Sequence, residues 1–228
     1  MYVPRHFAPT DENVRQLLHR HGAADLITVT EDGLQATLLP FVYDPGAGAH
    51  GSLIGHMARN NEQWRLPPDR RALVIVRGPD AYVTPTWYPS KAEHHRQVPT
   101  WNYITAHVHG DLLVHDDPVW VEDQVRRLTD KHEAAATTPW SVDDAPVPYI
   151  QGQLRAIVGV ELSITRIEAK FKLNQNRSQA DISGVVHGLR TRGQGQDDAM
   201  AEAVHAHRPR RRGDVGGGGL PVQDGSGG

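Results

Sequence analysis

Extended segments separated by turn residues most constrain how this chain can fold. Glu31-Asp32-Gly33 contains the Asp-Gly signal of a β-hairpin, between extended segments at 26–30 and 35–42. Apolar residues at 73–76 indicate a buried strand, and 81–84 and 160–167 are extended as well. Hairpins with helices inserted between them favour an antiparallel barrel or an α+β fold over a doubly wound parallel sheet.

The longest extended stretch covers residues 100–114, and its alternation assigns side chains to two faces. One face carries Trp101, Tyr103 and Thr105. The other carries Asn102, Ile104 and Ala106.

Helix signals occupy the segments between the strands. Thr10 can cap a helix through His21, and Asp117 followed by Pro118 begins another that reaches about Ala136. The segment 85–99, which is rich in Pro, Trp, Tyr and charge, is expected to be a loop. Shorter helices are expected at 52–61, 147–157 and 183–189.

Composition excludes several classes of protein. The 228 residues include no cysteine, which removes disulfides, thiolate nucleophiles and Cys-ligated metal sites. A formal net charge of −3 argues against a strongly basic nucleic-acid binder, since phosphate neutralisation needs an excess of Lys and Arg. No stretch of about 18 apolar residues and no signal-peptide core are present, so we expect a soluble, cytoplasmic protein.

The C-terminal 36 residues differ in composition from the rest. They hold ten of the 22 glycines, and their four arginines are set against five acidic residues. Such a segment offers too little apolar surface to offset the entropy of ordering it. We therefore predict one domain over 1–192 and a disordered Gly/Arg-rich tail over 193–228.

Three clusters of polar and aromatic residues are candidates for a binding site. In 84–103, two Pro-Thr-Trp triplets flank Lys91 and suit a flat polar ligand, although the same aromatics could fill the core of a barrel. On a helix over 52–61, His56, Arg59 and Asn60 would share one face and suit a phosphate, or simply form a solvated face. In KFKLNQNRS, Lys170 and Lys172 alternate before an amide-rich turn, which also fits a charged edge strand.

Common catalytic and nucleotide motifs are absent from the sequence. His107-x-His109 has no identifiable third metal ligand, and HExxH and GxSxG do not occur. Walker A and GxGxxG patterns are absent too, which excludes a P-loop or a Rossmann turn. We expect no metal site and no catalytic residue of the chain's own.

Several motifs in one consistent order resemble a known family. They are MYVPRHFA, GLQATLLPFVYD, GHMARNNEQWR, ALVIVRGPDAYVTPTWYPSK, VPTWNY, LTDKHEA, PWSVDDAP and AIVGVEL through KFKLNQNR. Over residues 1–190 the chain resembles the PaiB-like family of FMN-binding negative transcriptional regulators. The resemblance implies an FMN-binding split barrel: a six-stranded antiparallel barrel of Greek-key type with peripheral helices, in a homodimer that holds FMN at its interface.

The resemblance also implies which residues contact the flavin. His56, Arg59 and Asn60 match the phosphate-binding segment, and Thr37 matches a step near the ring or the ribityl chain. The Ser-Lys and VPTWNY motifs place four residues at the isoalloxazine end: Lys91, Thr100, Trp101 and Asn102. The C-terminal QNR motif, expected to reach the partner's site, is Gln175, Asn176 and Arg177. The chain departs from the family's pattern at Leu38, Ala169 and Phe171.

Three functions follow as expectations. The resemblance implies an FMN-binding regulator, with DNA as a partner that neither the net charge nor a helix-turn-helix motif supports. The alternative is an FMN-dependent oxidoreductase or flavin reductase, because FMN itself carries hydride and electron chemistry. A module for another planar ligand such as haem is a third possibility.

Overall fold

The computed structural model describes residues 1–31, 33–65 and 70–209. Six antiparallel strands hydrogen-bond in the order β1-β2-β3-β6-β5-β4, and β4 pairs with β1 to close a barrel. This confirms the predicted α+β split barrel with helices around it. The strands are β1 (Ala23–Thr30), β2 (Gly33–Asp44), β3 (Ser52–Ala58), β4 (Arg71–Val83), β5 (Thr100–His115) and β6 (Ile157–Lys172).

Strands β5 and β6 form the longest ladder of the barrel, from the Tyr103–Lys172 pair to the His115–Gly159 pair. The alternation predicted for 100–114 is confirmed. Asn102 and Ile104 are buried, whereas Trp101 is exposed on the outer face.

Helices surround the barrel where the capping signals predict them. Thr10 caps the first helix in a capping box, and Asp117 accepts hydrogen bonds from the N–H groups of Val119 and Trp120 at the start of the third. The segment expected to be a loop contains a short helix. The helices are α1 (Asp11–Arg20), α2 (Ser90–His94), α3 (Pro118–Glu133), α4 (Val147–Arg155), α5 (Gln179–Arg192) and α6 (Asp197–Ala206). Among the described residues, none of them is long and apolar enough to cross a membrane.

The helix expected over 52–61 is wrong, because β3 occupies its first seven residues. Leu53 and Met57 point into the barrel core, while α3 packs against the other face of the strand. A strand buried on both faces shows no polar alternation, so its apolar run reads like a short buried helix.

The barrel end formed by β5 and β6 is closed by the last two helices. Phe171 and Ile104 join a cluster of buried residues with α5, and α6 adds Met200 and Val204. The predicted disordered tail and the domain boundary at 192 are therefore wrong for residues 193–209. The remainder of that predicted tail, residues 210–228, lies outside the described residues.

Candidate functional site

The residues predicted to bind phosphate lie in a turn rather than on a helix. His56 is in β3, Arg59 and Asn60 follow the strand, and Thr37 lies nearby on β2. We call these four residues the β3-turn cluster. The Thr37 hydroxyl accepts from Asn61 Nδ2 at 3.0 Å and donates to Gln63 Oε1, so it holds the turn against β2.

Arg59 is fixed by four hydrogen bonds. Its guanidinium binds both carboxylate oxygens of Asp116, at 3.1 and 2.6 Å, and also donates to the backbone carbonyls of Arg155 and Ile157. Hydrogen bonding from Arg59 lowers the pKa of Asp116, and the same contact raises the pKa of Arg59. Four of the five guanidinium N–H groups are thus used, and the charge is balanced by a carboxylate.

His56 and Asn60 differ in their freedom to bind a ligand. The Nδ1 of His56 lies 2.7 Å from Gln124 Oε1, which assigns Nδ1 as the N–H donor and ties β3 to α3. Asn60 is exposed, and within the described residues its side chain makes no hydrogen bond. Asn60 and one N–H of Arg59 are therefore the donors that this cluster can offer.

A second group of side chains lies on the outer face where β5 begins and β6 ends. Lys172 is directly opposite Tyr103, and Lys170 is two residues away on the same face. Lys172 Nζ donates to the hydroxyl of Thr100 and to the carbonyl of Trp101. With Arg177, which follows β6, we call this group the β5–β6 end cluster: Trp101, Tyr103, Lys170, Lys172 and Arg177.

Positive charge exceeds negative charge in the β5–β6 end cluster, although Arg177 lies close enough to Asp181 to help lower the pKa of that carboxyl group. Burial lowers the pKa of Lys172, and the cations of Lys170 and Arg177 lower it further. Within residues 1–31, 33–65 and 70–209, none of these three cations forms an ion pair with a carboxylate. Lys170 Nζ lies 5.6 Å from the ring centroid of Tyr103. Like charges held together this way favour an anionic ligand.

Trp101 offers a flat surface at the same end. Its side chain is 52% exposed, and its indole N–H donates to Asp80 Oδ1 at 2.8 Å. The hydrogen bond fixes the ring plane, so the indole face is presented without a further loss of side-chain freedom.

Most of the remaining predicted residues are buried or bonded to other parts of the protein. Asn102 is wholly buried on the inner face of β5, and its expected place at the isoalloxazine end stays a prediction. Gln175 bonds the backbone of Leu173 and Phe171 and so shapes its own turn. Arg177 stacks on Tyr88, with 5.3 Å between Cζ and the ring centroid, and Asn176 is exposed.

Lys91 is half-buried in α2, a helix whose start is held by α5. Asp181 accepts hydrogen bonds from the N–H and the hydroxyl of Ser90, at 3.1 and 2.9 Å. This contact holds α2, which carries Lys91, against the first turn of α5, which begins two residues after Arg177.

Some functional candidates could not be chosen from the sequence. Tyr103 becomes one only because the β5–β6 register sets it opposite Lys172. The alternation of Lys170 and Lys172 in KFKLNQNRS was a usable signal. No sequence pattern pointed to Asp116, since its ion-pair partner Arg59 is 57 residues away in the chain.

The two clusters lie at opposite ends of the same strand. Arg59 contacts Ile157, the first residue of β6, whereas Lys172 is its last. At ~3.3 Å per residue, the strand path between them is roughly 50 Å. The length of β6 therefore separates the two clusters along the chain.

Comparison with known proteins decides the family. Residues 1–166 match the family described as "Putative FMN-binding domain". The chain belongs to this family. It is 28% identical to the protease synthase and sporulation protein PAI 2 of Bacillus subtilis, over 90% of this chain and 96% of that protein.

Solved structures with low sequence identity share the fold. The flavocytochrome Anf3 from Azotobacter vinelandii superposes with a TM-score of 0.55 at 14% identity, covering 80% of this chain and 78% of that one. The FAD and heme binding protein from Mycobacterium smegmatis gives 0.51 at 19% identity, covering 76% and 77%.

FMN is the cofactor that the family match supports, and the donor set of the β5–β6 end cluster fits it. A flavin mononucleotide needs a flat apolar surface for its ring and cations for its negative charge. Trp101 and Tyr103 offer the first, and Lys172 with Arg177 offers the second. The β3-turn cluster, whose arginine is already paired, is the weaker match for a phosphate.

Proposed function

We propose that the protein is an FMN-binding regulatory protein that holds its flavin between two copies of the chain. The observation that carries this proposal is the placement of the two clusters at opposite ends of β6. In a symmetric dimer, the β3-turn cluster of one copy can meet the β5–β6 end cluster of the other. One flavin then contacts both clusters.

Different residues of the chain contact different parts of the flavin. Lys172 and Arg177 take the negative charge of the ligand, and Trp101 covers one face of the ring. Asn60 of the partner subunit donates from the opposite side. When bound, FMN supplies hydride and electron chemistry, whereas the protein orients it and excludes water.

The regulatory half of the proposal rests on the family resemblance and on the Bacillus subtilis relative, which is named as a protease synthase and sporulation protein. Direct DNA binding finds little support in surface charge. Arg126 is paired with Glu122 and Asp143, and Arg127 is paired with Asp44. A salt-sensitive mobility shift of promoter DNA would favour direct regulation, and no shift at low salt would count against it.

FMN titration of the purified protein tests the flavin half. We expect saturable binding, followed by quenching of flavin fluorescence, with one FMN per chain. Trp101→Ala and Lys172→Glu should each weaken binding at least tenfold, because they remove the stacking face and reverse a charge. Arg15→Gln removes an exposed charge of α1 that pairs with Glu12 and serves as control. A chain that takes up no added FMN would refute the proposal.

A cavity beside Trp101 favours the alternative, an FMN-dependent oxidoreductase or flavin reductase. It has a volume of about 400 Å³, and Arg77, Tyr103 and His107 line it with the indole. That volume lies within the range of small-molecule sites, roughly 300–1,000 Å³. Consumption of NADH or NADPH by the FMN-loaded protein would select this function over a purely regulatory one.

A further inference from the structure

A cavity of about 720 Å³ lies between α1, β4 and α6. Leu17, Ile104 and Phe171 supply apolar walls. None of the residues predicted to bind flavin lines it. α6 lies beyond residue 166, where the family match ends.

Two local features keep this groove open. The β4–β5 register shifts between Arg77 and Asp80, so Gly78 lies directly on Ile104. A Cβ on Gly78 would approach Ile104 to 2.8 Å, so a larger residue there would push the strands apart. On the opposite wall, α6 presents Ala199 and Ala203, one helical turn apart.

The rim of the groove is positively charged. Arg20 and Arg77 both line it, and within the described residues Arg20 makes no ion pair. Arg77 reaches Asp25 at 3.4 Å while its side chain remains 69% exposed. Glu202 also lines the groove, but its carboxylate is bound by Arg190. Of the two guanidinium groups, Arg20 is therefore unpaired within the described residues, and the largely exposed Arg77 shares its charge with Asp25.

His21 adds an unsatisfied polar atom to the same lining. It is 5% exposed, and its Nδ1 lies 2.6 Å from the carbonyl of Leu18, which makes Nδ1 the donor. Its Nε2 has no hydrogen-bond partner among the described residues. The lining thus combines apolar walls, two cations and a neutral imidazole.

We propose that this groove binds a small amphipathic anion, a carboxylate carried on a flat apolar body. The apolar body packs against Leu17, Ile104 and Phe171, and the carboxylate pairs with Arg20 and Arg77. Bidentate pairing of guanidinium with carboxylate favours a carboxylic acid over a neutral molecule of the same shape. Arg77 also lines the cavity beside Trp101, so an organic acid bound in the groove would lie next to the proposed flavin site.

Calorimetric titration of the full chain with 2-naphthoate, and with its neutral analogue 2-naphthamide, tests the proposal. Naphthoate should bind at least tenfold more tightly than the amide at low salt, and the difference should shrink as salt screens the exposed arginines. Arg77→Gln combined with Arg20→Gln should remove that preference. Ala199→Trp, an exposed position on the groove wall, should prevent binding of both probes.

Matched variants separate the groove from non-specific binding. Arg15→Gln, on the same helix as Arg20, and Ala180→Trp, on the exposed face of α5, should leave naphthoate affinity unchanged. Naphthoate that fails to bind, or that binds equally well to Ala199→Trp, overturns the proposal. Ala199 lines this groove but not the cavity beside Trp101, so the Ala199→Trp result separates binding in the groove from binding at the proposed FMN site.

Discussion

Asn102 is a polar side chain whose position is costly. It is 0% exposed, and neither its Nδ2 nor its Oδ1 has a hydrogen-bond partner in the described part of the chain. Burying an amide without compensation costs ~1–3 kcal/mol. We therefore expect Asn102→Leu, which keeps the number and branching of the side-chain heavy atoms, to raise the free energy of unfolding by about that amount, as measured by urea denaturation.

Asn174 provides the contrast for that experiment. Its Nδ2 donates to the Tyr88 hydroxyl at 2.8 Å, and its φ of 65° lies in the left-handed region that Asn tolerates better than Leu. Asn174→Leu should therefore destabilise the protein. FMN affinity should be unchanged in Asn102→Leu, because the residue faces the barrel interior, and a large loss would return Asn102 to the flavin site.

We expect Arg59 to contribute more to the stability of the fold than to the affinity for FMN. Lysine keeps the charge in Arg59→Lys, but it cannot reproduce the fork that binds Asp116 and two carbonyls. The melting temperature should fall, while FMN affinity should change less than in Lys172→Glu. The effect of adding Asp116→Asn should be less than additive, since the two residues share one interaction. Strictly additive losses of melting temperature would show that Arg59 and Asp116 do not stabilise the protein through one shared interaction.

At the scale of elements, capping signals and alternation were the informative parts of the sequence. Asp117 with Pro118 located α3, and the alternation around Trp101 located both faces of β5. The prediction of a helix around His56 was wrong because β3 is buried on both sides. One of those sides is covered by α3, an element some sixty residues away in the sequence. The alternating lysines pointed to the end of β6 as a candidate site, but only the β5–β6 register shows that Tyr103 is the neighbour of Lys172.

His21, at the junction of α1 and β1, makes stability depend on pH. Burial, and then the nearby Lys131, lowers its pKa from 6.5 to about 4. The unfolded chain therefore binds more protons between those values, so folding stability falls as pH drops from 6.5 towards 4. The contribution should be roughly 2 kcal/mol between pH 7.5 and pH 5.

Urea unfolding at those two pH values, compared with His21→Gln, isolates this effect. Glutamine does not titrate, so the pH-dependent loss of stability should be smaller in the variant by about that amount. Carboxylates that titrate below pH 5 affect both proteins equally. An identical pH dependence in the two proteins would show that His21 is protonated without penalty.

At the scale of the whole molecule, the prediction from composition ended the domain too early. Glycines on both sides of α6 lowered the average apolar content of 193–228. Met200 and Val204 nevertheless lie one helical turn apart and are fully buried against the barrel end. Arg192 and Asp197 form a bidentate pair that joins α5 to α6. A short amphipathic helix is stabilised by packing against the surface that it covers. The composition of the helix segment alone does not show that this surface exists.

The shared flavin site makes a quantitative prediction for mixtures of variants. Asn60→Trp blocks the β3-turn cluster at an exposed position, and Lys172→Glu reverses a charge in the β5–β6 end cluster. Each homodimer should lose FMN binding. Random pairing of equal amounts makes half of the dimers mixed, and each mixed dimer has one intact site and one doubly altered site. Co-expressed variants should therefore recover about one quarter of the wild-type flavin content.

Lys172→Glu mixed with Trp101→Ala is the control, since both changes fall in the same cluster and no site is restored. Recovery equal to that control would mean that both clusters do not meet across a dimer, and the interface proposal would fail while FMN binding itself could still be measured in the wild-type chain.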